Sequence, residues 1–293
     1  MRLGFIGLGV MGRPMALNLI KHGHQMGVYS RRRESAAPLT AAGARAYATP
    51  AELAANAEVI FTVVTDSIDV EQVVLGENGL IHGGHAGSVV VDMETIAPTV
   101  ARDVALALAA KNIDMLDAPV SGGPMGAEQA ALSIMVGGKE AVFNRVKPLF
   151  ECLGKTIVHM GDHGAGQITK ACNQLALLVT AQGAAEALAL AKSCGVDPVK
   201  VREVMLGGVA ASRVLELFGK RMVERNFAAG IETRLYHKDL HIVLGLAHEL
   251  GLATPAAALA MQHINALMGR GEGGNDLSAL IKVVEGMSGE TKR

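Results

Sequence analysis

The chain has 293 residues, half of them apolar and 19% charged, which suffices for two cores of ordinary domain size (~100–200 residues each) and excludes a disordered or solvating polymer. Lys and Arg total 27 against 28 for Asp and Glu, so no basic excess exists to neutralise a phosphate backbone, and no nucleic-acid partner is expected. The opening MRLGFIGLGVMG lacks the charged, apolar, small order of a signal peptide and its glycines interrupt any spanning window, so the expected location is cytoplasmic, with no membrane partner.

Through the first half, short β-rich runs alternate with helical stretches. Strands are predicted at 3–6, 26–29, 59–64, 88–92, 114–117 and 132–136, and helices at 14–21, 50–55, 70–74 and 99–110. Alternation at this pace implies βαβ units and a parallel sheet covered on both faces. After Gly161 the pattern becomes helical. Residues 165–193 contain one internal glycine away from the first turn and no proline, and further helices are predicted at 198–205, 214–224, 236–250, 255–268 and 277–285. The predicted architecture is therefore α/β followed by all-α: an N-terminal domain with a Rossmann-like parallel sheet, 1–162, and a helical C-terminal domain, 163–293, joined by the long helix. That helix is apolar around much of its girth and needs more than one neighbour, so a homodimer or homotetramer is expected.

The first strand runs into Gly7-Leu8-Gly9-Val10-Met11-Gly12, with a helix after it. Gly7 serves the tight turn, Gly9 lets the backbone approach a pyrophosphate, and Gly12 allows close packing of helix on strand. A bare G-x-G-x-x-G also describes an ordinary glycine-rich turn; between the first strand and helix of a βαβ unit it reads as a dinucleotide site. The second strand ends in Ser30-Arg31-Arg32-Arg33. An acidic reader of the NAD ribose is missing at its tip, and the guanidinium groups of Arg31 and Arg32 suit a 2′-phosphate, so NADP(H) is preferred with NAD(H) possible. The plain alternative is a solvated basic turn, with Glu34 as a minor reader of a hydroxyl.

Two later segments carry polar groups in suggestive positions. In Asp117-Ala118-Pro119-Val120-Ser121-Gly122-Gly123, a turn at a strand end leaves N–H groups and a hydroxyl able to hold a carboxylate, though an ordinary tight turn fits as well. In Gly164-Ala165-Gly166-Gln167-Ile168-Thr169-Lys170-Ala171-Cys172-Asn173, Lys170 and Asn173 share a helix face near its positive end, where a lysine gives up a proton more readily. On spacing alone a snorkelling surface lysine is the plainer reading.

Together GFIGLGVMGRPMALNL, DAPVSGG, GAGQITKACNQ and HKDL, in that order along nearly the whole chain, resemble the β-hydroxyacid dehydrogenase family. The resemblance implies Lys170 as the catalytic lysine with Asn173 beside it on the substrate, and Ser121, Gly122 and Gly123 as the carboxylate-binding turn. It also implies Gly7, Gly9, Met11, Gly12, Arg31, Arg32, Val64, Thr65, Thr95 and Lys238 as cofactor contacts, and a short 3-oxo or 3-hydroxy acid as substrate. GENGLI, DMETIAP, LSIMVGG and GNDLSAL are similar to members acting on a hydroxyl-bearing semialdehyde. Glu94 departs from the family pattern, which has serine there, and that bears on substrate choice.

Other features carry less. His237 and His241 stand at i, i+4, but no third ligand completes a set and no metal is expected. The fourteen methionines read as gap-fillers and the three cysteines as small buried residues. Asp117 and Asp239 read as structural carboxylates. A non-catalytic cofactor-binding regulator would need neither Lys170 nor Asn173, and an imine reductase on the same scaffold typically replaces the lysine; the expected activity is NAD(P)H-dependent reduction with Lys170 as proton donor.

Overall fold

A computed structural model describes residues 1–288. They form two compact units, the first Met1–Lys170 and the second beginning at Ala171.

The first unit is built on a nine-stranded sheet. Strands β1 (Arg2–Ile6), β2 (Gln25–Tyr29), β3 (Arg45–Ala46), β4 (Val59–Thr62), β5 (Val89–Asp92) and β6 (Asp114–Asp117) are parallel and lie in the order β3-β2-β1-β4-β5-β6. Beyond β6 the sheet turns mixed: β7 (Val120–Ser121) and β6 pair antiparallel with β8 (Leu132–Gly137), and β9 (Gly154–Gly161) runs parallel to β8. The chain winds outward from β1 through β2 and β3, then returns to β4 on the other side of β1. Reversal at that point opens a crevice at the carboxyl ends of the strands, which is where open α/β sheets bind ligands.

Side-chain alternation explains the two covered faces. Leu3, Phe5, Val59, Phe61, Val89, Val91 and Leu116 point into one core, whereas Ile6, Ile60, Val90 and Met115 point into the other. Helices α1 (Gly12–Lys21) and α8 (Glu140–Phe150) contribute to the first core, where Phe5 stacks on Phe61 at 5.9 Å and Phe61 meets Phe150 edge-on at 6.4 Å. Helices α3 (Pro50–Ala54), α4 (Ser67–Leu75) and α6 (Pro98–Ala109) contribute to the second. Short helices α2 (Ala37–Ala41), α5 (Leu80–Gly83) and α7 (Gly123–Glu128) fill connections.

Among the described residues, the regular elements after β9 are all helical. Helix α9 (Ala165–Ser193) has the predicted bounds, and its Leu178, Ala181, Ala185 and Leu188 enter the core of the second unit. By length and composition it could cross a membrane, yet half of its apolar window is buried inside the protein. It is followed by α10 (Pro198–Leu206), α11 (Lys220–Val223), α12 (Thr233–Glu249), α13 (Pro255–Gly269) and α14 (Leu280–Met287). Where one helix was expected over 214–224, the backbone instead makes a π-helical stretch, Leu215–Gly219, before α11. Cys152 is buried as expected. Cys172 and Cys194 are exposed, because the first lies on the outer face of α9 and the second follows its end.

Candidate functional site

The segments after β1, β2, β4, β5 and β6 all lie along the carboxyl edge of one parallel sheet, and they contain Gly7 to Gly12, Arg31 and Arg32, Val64 and Thr65, Thr95, and Ser121 to Gly123. The turn after β1 meets the steric demands of a phosphate cradle. Gly7 has φ of 92°, and a Cβ there would lie 1.9 Å from the Val63 carbonyl oxygen. At Gly12 a Cβ would lie 1.9 Å from the Gly7 oxygen, whereas at Gly9 it would meet nothing within 4 Å. The first and third glycines are thus required by the protein itself, and the middle one faces open space where a diphosphate would fit. Met11 precedes the first turn of α1, whose free N–H groups favour an anion.

At the tip of β2, Arg31 is grasped by Asp69 of α4: Nη1 lies 3.1 Å from Oδ1 and Nη2 lies 3.4 Å from Oδ2. Arg32 is exposed. A cavity of about 310 Å³ opens beside them, lined by Val28, Ser30, Arg33, Ala36 and Tyr47 among others. Arg33, passed over in favour of its two neighbours, is the arginine that lines this cavity; the run of three gave no means of ranking them.

Lys170 is 8% exposed and donates from Nζ to the Val120 carbonyl oxygen at 2.8 Å. This bond sets the ammonium beside the turn Ser121 to Gly123, where Gly122 and Gly123 have φ of 136° and 63° and the backbone doubles back sharply. Two contacts hold the start of α9 in this place. Asp117 at the end of β6 accepts from the amides of Gly164 (2.8 Å) and Gln167 (3.0 Å), capping the helix. Burial pushes the Asp117 carboxyl up, against the downward pull of these two amides. The Gln167 side chain then donates to the Glu94 carbonyl (2.7 Å) and accepts from the Ile96 amide (3.1 Å). In this way the lysine, the turn Ser121 to Gly123 and the loop bearing Thr95 are brought to one edge of the first unit. Glu94 itself is half-buried, with its carboxylate near enough to Asp92 to raise that acid further.

Gln167 and Asp117 do the anchoring, and sequence reading assigned Gln167 no part. Its signal lay inside the GAGQITK motif, three residues before the lysine. Asn173 follows Lys170 by one turn of α9 and donates to Gln174. Lys238 lies on α12 of the second unit, 3.4 Å from an oxygen of Asp239. His237 is bound to Asn265 at 2.8 Å, and among the described residues no three His, Cys, Asp or Glu side chains gather as a metal site.

Comparison with known proteins bears on both units. Residues 2–161 match a family model described as the NAD binding domain of 6-phosphogluconate dehydrogenase, and residues 164–284 match one described as the NAD-binding of NADP-dependent 3-hydroxyisobutyrate dehydrogenase. The chain is 43% identical over 288 residues to 2-hydroxy-3-oxopropionate reductase of Escherichia coli (strain K12), spanning 98% of each. It is 39% identical to 2-(hydroxymethyl)glutarate dehydrogenase of Eubacterium barkeri, spanning 98% of this chain and 96% of the other. Among solved structures, 3-hydroxyisobutyrate dehydrogenase from Salmonella typhimurium superposes with a TM-score of 0.89 at 31% identity, over 97% of this chain and 99% of that one.

Proposed function

The chain belongs to the β-hydroxyacid dehydrogenase family of NAD(P)-dependent oxidoreductases acting on CH–OH groups, and we propose that its substrate pair is tartronate semialdehyde (2-hydroxy-3-oxopropanoate) and D-glycerate, with NADPH the preferred reductant. The observation that supports the chemistry is the Lys170 ammonium held 2.8 Å from the Val120 carbonyl, beside the glycine-rich turn Ser121 to Gly123, and the choice of substrate pair leans on the 43% identity to 2-hydroxy-3-oxopropionate reductase. A bound nicotinamide supplies the hydride. Lys170 gives a proton to the aldehyde oxygen as the alcohol forms and takes it back in the reverse direction. Ser121, Gly122 and Gly123 hold the carboxylate, so binding energy remote from the carbonyl serves to orient it. Asn173 orients the substrate from the next turn of the helix. Gly7, Gly9, Met11 and Gly12 receive the diphosphate, Arg31 and Arg32 the 2′-phosphate, and Val64, Thr65 and Thr95 flank the nicotinamide half.

In this reading residues 1–162 bind the cofactor and 163–293 serve substrate binding and self-association. Exposed Leu190, Val199, Val204 and Leu259 on helices of the second unit support a homodimer or homotetramer, and the assigned location is cytoplasmic.

Substrate choice turns on one group. Tartronate semialdehyde carries a hydroxyl where methylmalonate semialdehyde carries a methyl, and a site that hydrogen-bonds the hydroxyl rejects the methyl compound far more strongly than an apolar pocket does. Initial rates of NADPH oxidation should give kcat/KM at least about tenfold higher for the hydroxyl compound, equivalent to ~1.4 kcal/mol. A preference for the methyl compound would move the assignment to 3-hydroxyisobutyrate. Lys170→Ala should lower kcat by ~10²–10⁴ with NADPH affinity kept. Lys170→Arg should fail too, because a guanidinium does not release a proton near neutrality; retained activity in either variant removes Lys170 from proton transfer.

A further inference from the structure

Asn173, Gln174 and Asp239 form a chain of side-chain hydrogen bonds in the second unit. Asn173 Nδ2 donates to Gln174 Oε1 at 2.8 Å, and Gln174 Nε2 donates to Asp239 Oδ2 at 2.5 Å. The other Asp239 oxygen makes no hydrogen bond and lies 3.4 Å from Lys238 Nζ. Gln174 is 2% exposed and Asp239 7%, so water is not available to replace either partner.

The polarity of this chain is set from one end. A carboxylate paired with an ammonium can only accept, so Gln174 must turn its NH₂ group toward Asp239. Its carbonyl oxygen is then the end that faces Asn173. A carbonyl oxygen can only accept, so Asn173 must turn its own NH₂ group inward. The Asn173 carbonyl oxygen and its second N–H are thereby directed elsewhere, in a fixed order. An asparagine without this neighbour could present its amide either way round and would also lose the restraint on its rotamer.

We propose that Gln174 is a positioning residue of the active site: it transmits the acceptor character of Asp239 to Asn173 and fixes which end of the Asn173 amide is offered to the substrate. The proposal rests on the reading above, in which Asn173 orients the substrate. Because the free carbonyl is an acceptor, the arrangement favours a substrate carrying a hydroxyl donor.

A double-mutant cycle separates this from a merely structural role. Gln174→Met, near in size but unable to hydrogen-bond through an amide, should lower kcat/KM for the hydroxy acid by roughly three- to tenfold, the range set by loss of one immobilised side chain. Cofactor affinity, read by quenching of NADPH fluorescence, should be unchanged. In an Asn173→Ala background the same substitution should lower kcat/KM no further. If the loss persists undiminished in that background, or if Gln174→Met is silent while Asn173→Ala is not, Gln174 does not act through Asn173 and the proposal is overturned. A silent Asn173→Ala would overturn the reading of Asn173 and this proposal with it. Should Gln174→Met fail to fold, neutron diffraction from deuterated wild-type crystals decides the matter directly. Deuterons on Asn173 Nδ2 and Gln174 Nε2 in the order given support the proposal, and the opposite order at Asn173 overturns it.

Discussion

Asp92 ends β5 with its carboxyl fully buried; Thr62 donates to Oδ1 at 2.8 Å, and Oδ2 has no hydrogen-bond partner. Burial pushes this acid up to about 8, with the Thr62 bond pulling the other way and the nearby carboxylates of Glu94 and Asp117 adding to the rise. At neutral pH it is therefore largely a neutral acid and adds little negative field beneath the loop that carries Thr95. The consequence for stability has a definite sign. Below pH ~4 folded and unfolded chains both hold the proton and Asp92 costs nothing; between ~4 and ~8 only the folded chain keeps it, so stability falls as pH rises; above ~8 the penalty is complete. Asp92→Asn stays neutral throughout and retains the bond from Thr62. Denaturant unfolding of the two proteins should coincide near pH 4 and separate in favour of the variant by roughly 1 kcal/mol per pH unit up to pH 8. Parallel pH curves would show that Asp92 does not carry a raised affinity for its proton. Neither Asp92 nor Gln167 was legible as an anchor from sequence, since their partners lie 30 to 73 positions away. Lys170 was legible through its motif. What motif reading lacked was the Val120 carbonyl that fixes the ammonium, a contact that exists only once β7 and α9 are assembled.

At the scale of elements, the turn joining β1 to α1 separates two kinds of glycine that look alike in sequence. Gly12→Ala drives a methyl into the Gly7 carbonyl, so either backbone must move or the helix must lift from the strand. It should lower stability by ~1–3 kcal/mol, the usual range for overpacking. Gly9→Ala meets no protein atom within 4 Å. Its melting temperature without cofactor should stay within a degree or two of wild type, while dinucleotide affinity falls at least tenfold because the methyl occupies the phosphate's approach. Thermal melts with isothermal titration of NADPH distinguish the two, and unimpaired binding by Gly9→Ala would remove that glycine from the cradle. Periodicity located the central strands and α9 well because their residues are buried in the pattern their geometry dictates. It missed α8, whose Val142, Phe143, Val146, Leu149 and Phe150 do follow a helical stripe, because Pro148 reads as a breaker although it sits in the last turn. It missed β9, an edge strand whose polar Lys155, Thr156 and His159 dilute the apolar signal. The π-helical stretch before α11 was out of reach, since its five residues span little more than one turn and are too few to establish a period.

For the whole molecule the formal net charge is −1, so no general field draws an anionic cofactor toward it, and anion binding must come from local groups. In the proposed reading those groups are the helix terminus at Gly12 and the arginines at the tip of β2. Arg31 has three-quarters of its side chain exposed, and Asp69 occupies both of its terminal nitrogens. Its Nε edge is left for a phosphate, yet the shared charge and the exposure limit what the contact contributes. We therefore expect NADPH to bind only about tenfold more tightly than NADH, or ~1.4 kcal/mol. With each ligand well above its dissociation constant, that difference appears directly in the stability of the folded chain, raising the melting temperature by about 3–6 °C more with NADPH than with NADH at equal concentration. Arg31→Ala should bring the two melts together by lowering the NADPH value alone. Because the pair is exposed, raising the salt from 0.05 to 0.5 M, where the screening length falls to roughly 4 Å, should shrink the gap in the wild type. A gap that survives both the substitution and the salt would move recognition of the 2′-phosphate to Arg33 and the cavity that it lines.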